Sequence, residues 1–419
     1  MDDWIKRDLA HFWHRFTQMH SSDPPLLIER AQGLRLFDAK GKAYDDVISS
    51  WWCNVHGHNH PTIQQAIIDQ IDALDHVLAA GCTHKGAIAL AETLAKLAGL
   101  PYVFYSDNGS TAVEVALKMS FQYWQNIGKK EKKRFLSLDR GYHGDTFGAM
   151  SVSGKSAFTG PFNPLLFPSY HINSPLCSSC QQKCSLSCLK RCQDILSKHH
   201  KEIAAIILEP LLLGAGGMLV YPATYLKRIA ELASHFNVHL ILDEVATGFG
   251  RTGTFFAFHQ AKITPDFLCL SKGITSGTLP FAATLTHNAI YDSFDTKTFF
   301  HGHTYTANPL GCAAAQASLA IFESENTLEH VQNIQPLFRS YLEEFNTYSF
   351  ISNIRSIGLI GAFDLAETVS PRSVYRAALK QGLLLRPLGN VIYFFLPLCI
   401  TKEELKSVMQ RTHLAFKLL

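Results

Sequence analysis

Residues 239–273 read HLILDEVATGFGRTGTFFAFHQAKITPDFLCLSKG. Two short apolar runs, HLILDE and FLCLSK, each close on charge: Asp243 in the first and, 29 positions later, Lys272 in the second. Apolar runs of this length bounded by glycine read as buried strands. A lysine closing such a run is costly to bury unless it is paired, neutral or used covalently. The neighbouring sequence repeats the pattern. YVFYS, RFLSL, AAIILE and FAATL are further strand candidates, while STAVEVALKMSFQYW and ATYLKRIAELASHF carry helical periodicity. In the first helix Val113, Ala116, Leu117, Phe121 and Trp124 are expected on one face. Strands alternating with helices predict an α/β fold, a mainly parallel sheet covered by helices. Ligands of such sheets sit beyond the carboxyl ends of the strands.

The two ends of the chain read differently. GLRLFDAKGKAYDDV suggests a hairpin turning at Lys-Gly, and GLIGAFDLA and LLLRPLGNVIYFFLP read as strands of a smaller α+β domain. The expected division is an N-terminal segment, 1–60, packing with the small domain, a large domain, 61–307, and a C-terminal small domain, 308–419. A chain of 419 residues exceeds what one small core serves. Its 47% hydrophobic and 17% charged residues suit a soluble protein with a large interior. A net charge of +3 gives no reason to expect nucleic acid as a partner. The opening MDDWIKRDLAHFWHRF has no apolar stretch of signal type. The most apolar window, AAIILEPLLLGAGGMLVYPA, is broken by Glu209, Pro210 and glycines, as a strand and turn would be. A cytoplasmic protein without a membrane partner is expected.

Five of the ten cysteines crowd into an insert at about 174–198, as Cys177, Cys180, Cys184, Cys188 and Cys192. A zinc or iron–sulfur site needs a second close pair, and none is present, so the expectation is no metal. The plainer reading is an irregular insert whose second half is a helix stacking Cys184, Cys188 and Cys192. His56, His58 and His60 in HGHNHP read as hydrogen-bonding loop residues rather than ligands.

Three candidate strand ends carry chemistry. YVFYSDNGS turns at Gly109 and Ser110 into a helix, whose N-terminus offers free N–H groups and a positive dipole to phosphate. Asp243 and Lys272 end the other two. A phosphate cradle, a carboxylate and a lysine together match the needs of pyridoxal 5'-phosphate, whose aldehyde bonds the amine and whose ring nitrogen the acid keeps protonated.

LILDEVATGFGRTG followed by LCLSKGI resembles the class III (ω-type) pyridoxal-phosphate aminotransferases of fold type I, and the likeness runs along nearly the whole chain. SSWWCNVHGHNHP, SDNGSTAVEVALKMSFQYW, GYHGDTFGAMSV, HGHTYTANPLGCAAA and RPLGNVIYFFLP narrow it to the branch that aminates 8-amino-7-oxononanoate in biotin biosynthesis. That resemblance implies roles. Lys272 would hold the cofactor and shuttle the proton. Asp243 would face the ring nitrogen, with Val245 on one ring face and Tyr142 on the other. Gly109, Ser110, His303 and Thr304 would lie at the phosphate, Thr304 arriving from the second subunit of a homodimer. Glu209 would support the cofactor's polar network. Phe16, Trp51, Trp52, Tyr142, Asp145 and Gly302 would line the substrate site, and Arg386 would take the distant carboxylate of the oxo-acid.

Two residues depart from that branch's pattern. Phe16 stands where a tyrosine is usual, and His303 where a proline is. Loss of the hydroxyl bears on the amino donor, S-adenosylmethionine or lysine. Alternatives are another ω-aminotransferase acting on ornithine, γ-aminobutyrate or a diamine, and a metal-binding interaction or redox protein built on the cysteine insert.

Overall fold

A computed structural model describes residues 3–18, 21–175 and 186–419. The strands His239–Asp243 and Phe267–Leu270 run side by side and parallel, with Ile241 opposite Phe267 and Asp243 opposite Cys269. They occupy the middle of a seven-stranded sheet ordered Tyr102–Ser106, Ala282–Thr286, Phe267–Leu270, His239–Asp243, Ile203–Leu208, Arg134–Leu138, Tyr170–Ile172. Ala282–Thr286 alone runs against its neighbours, pairing antiparallel with the strands on both sides. Every residue of Ile203–Leu208, His239–Asp243 and Phe267–Leu270 is buried. This is the continuous apolar pattern of strands covered on both faces.

The helix Gly109–Asn126 covers one face of this sheet. Val113, Ala116, Leu117 and Trp124 point inward as expected, and Trp124 Nε1 donates to the Ala204 carbonyl at 2.9 Å. Phe121 does not; it is 42% exposed. Ser120 takes the inward place instead, fully buried and hydrogen-bonded to His239 Nδ1 at 2.9 Å. A stripe at 113, 117, 120 and 124 follows the helical repeat better than one through 121.

The hairpin near the start forms with Leu36 opposite Tyr44, and Ile28–Gln32 adds a third strand to it. The fourth strand of that sheet comes from the far end of the chain: Leu383–Leu384 pairs parallel with Ala43–Asp46. The stretch LLLRPLGNVIYFFLP therefore splits. Its second part, Val391–Phe395, belongs to another sheet with Ile351–Ile357 and Ile360–Leu365. Arg386 lies in the connection between the two. The turn between Ile357 and Ile360 needs Gly358, whose φ is +56° and whose missing side chain would strike the carbonyl of Arg251.

Of the cysteine insert, Cys177, Cys180 and Cys184 lie outside the described residues. Cys192 is fully buried on the helix Lys190–His199, packed with Leu189 and Leu196. Cys188 sits in a 3-10 turn, Ser187–Leu189, before that helix, so it does not share an α-helical stack with Cys192. Among the described residues no cluster could hold a metal ion, and no helix is long and apolar enough to cross a membrane.

Candidate active site

The strand ends converge on one cavity of about 480 Å³. Lys272, Asp243, Val245, Glu209, Tyr142, Gly109 and Ser110 line it, together with Phe16, Trp51, Trp52 and Asp145. Gly109 and Lys272, 163 positions apart, meet there because the sheet delivers the carboxyl ends of its parallel strands to one edge.

Lys272 follows its strand by two residues and takes a left-handed backbone, φ 45°. Its Nζ makes no hydrogen bond or ion pair among the described residues and lies 5.1 Å from the centre of the Trp52 ring. Burial lowers its pKa, while Asp243 and Glu209 act in the opposite direction. An amine held this way is an available nucleophile and base rather than one arm of a salt bridge.

Asp243 is braced on both oxygens. The Val245 amide donates to Oδ1 at 3.1 Å, and His143 Nδ1 donates to Oδ2 at 2.8 Å. His143 is buried, and its Nε2 has no hydrogen-bond partner among the described residues. Glu209 accepts from the amides of Tyr142 and Gly214, both at 3.0 Å, and burial pushes its carboxyl up to about 7. It thereby ties the Tyr142 loop to Gly214, against which the Trp52 ring packs.

At the other wall, Asn108 caps the helix Gly109–Asn126 in a reciprocal bond with Thr111. The cap occupies the Thr111 amide and leaves those of Gly109 and Ser110 for an anion. A side chain at Gly109 would come within 2.7 Å of Val245 Cγ1, and one at Gly144 would strike Ser110. These glycines let the cradle close on the carboxylate side of the cavity.

Trp51 and Trp52 reach the cavity from an unusual turn. Ser49, Ser50, Trp51 and Trp52 all have left-handed φ angles: 48°, 46°, 79° and 72°. Such backbone costs on the order of 1–2 kcal/mol per residue outside glycine, so surrounding bonds must impose it. Ser49 Oγ donates to the Phe395 carbonyl and Ser50 Oγ to Asp46, both at 2.6 Å. Arg251, 1% exposed, donates to the carbonyls of Trp52, Asn54 and Leu396 and to Ser49 Oγ. Trp52 stacks on Phe395 and donates from Nε1 to Tyr393 Oη at 3.2 Å.

Trp51 is a meeting point. Phe16 stacks on it at 5.7 Å, and the guanidinium carbons of Arg15 and Arg386 lie 4.3 and 4.5 Å from its ring centre. Arg386 lines a second cavity of about 770 Å³, which shares Arg15, Phe16 and Trp51 with the first.

Three expected residues are not brought in. Gly302 and Thr304 are exposed, and neither they nor His303 line the cavity of their own chain. His303 Nδ1 instead pairs with Asp107 at 2.9 Å, two residues before the phosphate cradle. Sequence reasoning assigned nothing to His143 or Arg251, although both stand inside the quoted motifs GYHGD and GFGRTG. It likewise passed over Arg15. His56, His58 and His60 are hydrogen-bonded loop residues, to the Ser318 carbonyl, Asp46 and Glu325.

The cavity fits pyridoxal phosphate by its own features: an amine without a partner, a braced buried carboxylate, two free amides at a helix start, and Tyr142 and Val245 as walls.

The chain is similar to known proteins over nearly its whole length. The family model for aminotransferase class-III matches residues 17–416. The adenosylmethionine-8-amino-7-oxononanoate aminotransferase of Geobacter sulfurreducens is 45% identical, covering 96% of this chain and 94% of the relative. That of Helicobacter pylori is 43% identical, covering 96% and 95%. The crystal structure of the Methanocaldococcus jannaschii enzyme of the same name superposes with a TM-score of 0.94 at 39% identity, covering 99% and 98%. A PLP-bound amine transaminase from an uncultivated Pseudomonas species gives 0.92 at 32% identity, covering 97% and 98%.

Proposed function

The chain belongs to the class-III aminotransferases, and from that premise we propose that it aminates 8-amino-7-oxononanoate to 7,8-diaminononanoate, a step of biotin biosynthesis, with pyridoxal phosphate as cofactor. The observation that carries the substrate choice is the Trp51–Trp52 turn placed between Lys272 and Arg386. It gives an aliphatic oxo-acid an apolar wall along its chain and a guanidinium at its far end.

Bound in the cavity, pyridoxal phosphate supplies an electron sink for the charge left when a donor carbon loses its proton. Lys272 would hold the cofactor through its amine, and its Nζ, facing the cavity, would take that proton and return it. Its lowered pKa keeps more of the amine neutral for this task. Asp243 keeps the ring nitrogen protonated, and His143 fixes the carboxylate's orientation through the 2.8 Å bond. Gly109 and Ser110 hold the phosphate, and Tyr142 and Val245 clamp the ring plane.

Thr304 reaches the phosphate of a second subunit. In its own chain it is exposed, on a loop that also exposes Phe300 (85%) and Tyr305 (61%), which suits a surface covered in a homodimer. Gly302 and His303 belong to the same shared wall. Asp145 lines the substrate side. The enzyme works in the cytoplasm, and the donor is S-adenosylmethionine.

The test supplies cofactor-loaded protein with 8-amino-7-oxononanoate and a panel of donors and follows 7,8-diaminononanoate. Product with S-adenosylmethionine is expected. No 7,8-diaminononanoate with any donor, while ornithine or γ-aminobutyrate gives its amino group to another oxo-acid, would overturn the reading.

A further inference from the structure

We propose that Arg15 is the second arm of a carboxylate clamp whose first arm is Arg386, so that one substrate carboxylate is held by two guanidinium groups lying on Trp51. The proposal rests on the oxo-acid reading above.

Both groups stack on the same indole, at 4.3 and 4.5 Å from its ring centre. Neither makes a side-chain hydrogen bond or ion pair among the described residues. Burial lowers the Arg386 pKa and Arg15 adds to that lowering, while Tyr393 and Tyr375 act the other way. Two like charges held at one indole repel, and an anion that both can reach relieves that repulsion.

Among the described residues no carboxylate pairs with either guanidinium. Of the described residues lining the 770 Å³ cavity, Asp23 is the one carboxylate. It is already taken, donated to by Arg372 at 2.9 Å and by Arg376 at 2.5 Å. Those bonds fix Asp23 to the helix Pro371–Lys380. Arg15 also lines the cavity of Lys272 and acts on that amine. It thus stands where the two cavities join, and a carboxylate there lies at the far end of a substrate whose ketone faces Lys272. Planar guanidinium groups match carboxylates by paired N–H donors, and Trp51 holds both planes in place at small entropic cost.

The experiment measures the affinity of the cofactor-loaded enzyme for 8-amino-7-oxononanoate and for its methyl ester, in wild type, Arg15→Gln, Arg15→Lys and Arg386→Gln. Arg15→Gln should weaken the acid roughly tenfold, the scale of one charge-assisted hydrogen bond. The ester, lacking the charge, should move little. Arg15→Lys should recover part of the loss, and added salt should narrow the gap between wild type and Arg15→Gln. Equal losses for acid and ester would reduce Arg15 to packing on Trp51 and overturn the clamp. So would an Arg15→Gln variant that binds the acid normally while Arg386→Gln does not, and in that case the oxo-acid reading stands. If wild-type enzyme neither aminates the acid nor prefers it to the ester, that reading fails and the clamp falls with it.

Discussion

Arg251 Nη2 donates to the carbonyl of Asn54 at 2.9 Å, across 197 positions of sequence. The same guanidinium bonds Trp52, Leu396 and Ser49, so one buried cation holds the left-handed turn that aims both tryptophans at the cavity. Burial lowers its pKa to about 10, which leaves it charged at neutral pH. Arg251→Met removes every one of these bonds and strands their acceptors. A loss on the order of 3–5 kcal/mol is expected, together with weaker acceptor binding. Denaturant unfolding and acceptor affinity check both. Normal stability with normal acceptor affinity would show that the turn holds without Arg251.

Lys272→Ala should abolish the visible absorbance of the cofactor-loaded protein and cut turnover by at least about 10³-fold, since covalent and proton-transfer roles go together. The cofactor-free variant should be more stable than wild type by about 0.5–2 kcal/mol, because an unpaired amine leaves a desolvated site. Thermal unfolding of the cofactor-free proteins reads this directly. A destabilised variant would mean that Lys272 has a structural partner.

Glu209 gives the site a pH signature. Its folded pKa, about 7, lies above the ordinary 4.5. The folded protein therefore retains a proton that the unfolded chain gives up. This contribution to stability is full below the ordinary value and is lost as pH rises through about 7. Glu209→Gln lacks the titration, and it leaves one of the Tyr142 and Gly214 amides facing a donor. The variant should be less stable by about 1–3 kcal/mol at acid pH, with the gap narrowing from roughly pH 5 to roughly pH 8. Unfolding of both proteins across that range is the measurement. A gap that widens would mean Glu209 is held ionised.

These residues were not equally visible in the sequence. Lys272 and Asp243 could be read because each ends a short apolar run, and a parallel sheet brings such ends together whatever the loops do. Arg251 could not. Its acceptors are backbone carbonyls and a serine 145 to 202 positions away, and no local pattern marks them. Phe121 was misplaced because its apolar side chain was read as inward, although the helical repeat favours the polar Ser120. The bond from Ser120 to His239 is what makes a polar residue fit there. Arg15 was passed over because an arginine in a polar segment reads as solvated, and its meaning comes from Trp51, which the left-handed turn delivers.

The donor turns on Phe16. Its ring stacks on Trp51 at 5.7 Å and meets Phe158 edge-on at 5.4 Å, so the aromatic surface a tyrosine would give is already present. What is missing is the hydroxyl. S-adenosylmethionine carries a sulfonium cation, which the half-exposed ring of Phe16 attracts without any hydrogen bond. A lost hydrogen bond to the donor costs about 1 kcal/mol, or up to about 3 if its partner stays buried and unpaired. That weakens a donor without excluding it. S-adenosylmethionine should therefore be used, though less selectively than an enzyme with the tyrosine would use it. Phe16→Tyr adds an oxygen at a ring that is 46% exposed, where it needs little repacking. It should raise kcat/KM for S-adenosylmethionine by about fivefold, the equivalent of one such bond, and change the lysine reaction less. Steady-state rates with both donors and both proteins decide it. If lysine supports catalysis, S-adenosylmethionine does not, and Phe16→Tyr changes neither, then the donor is lysine and the missing hydroxyl belongs to that choice.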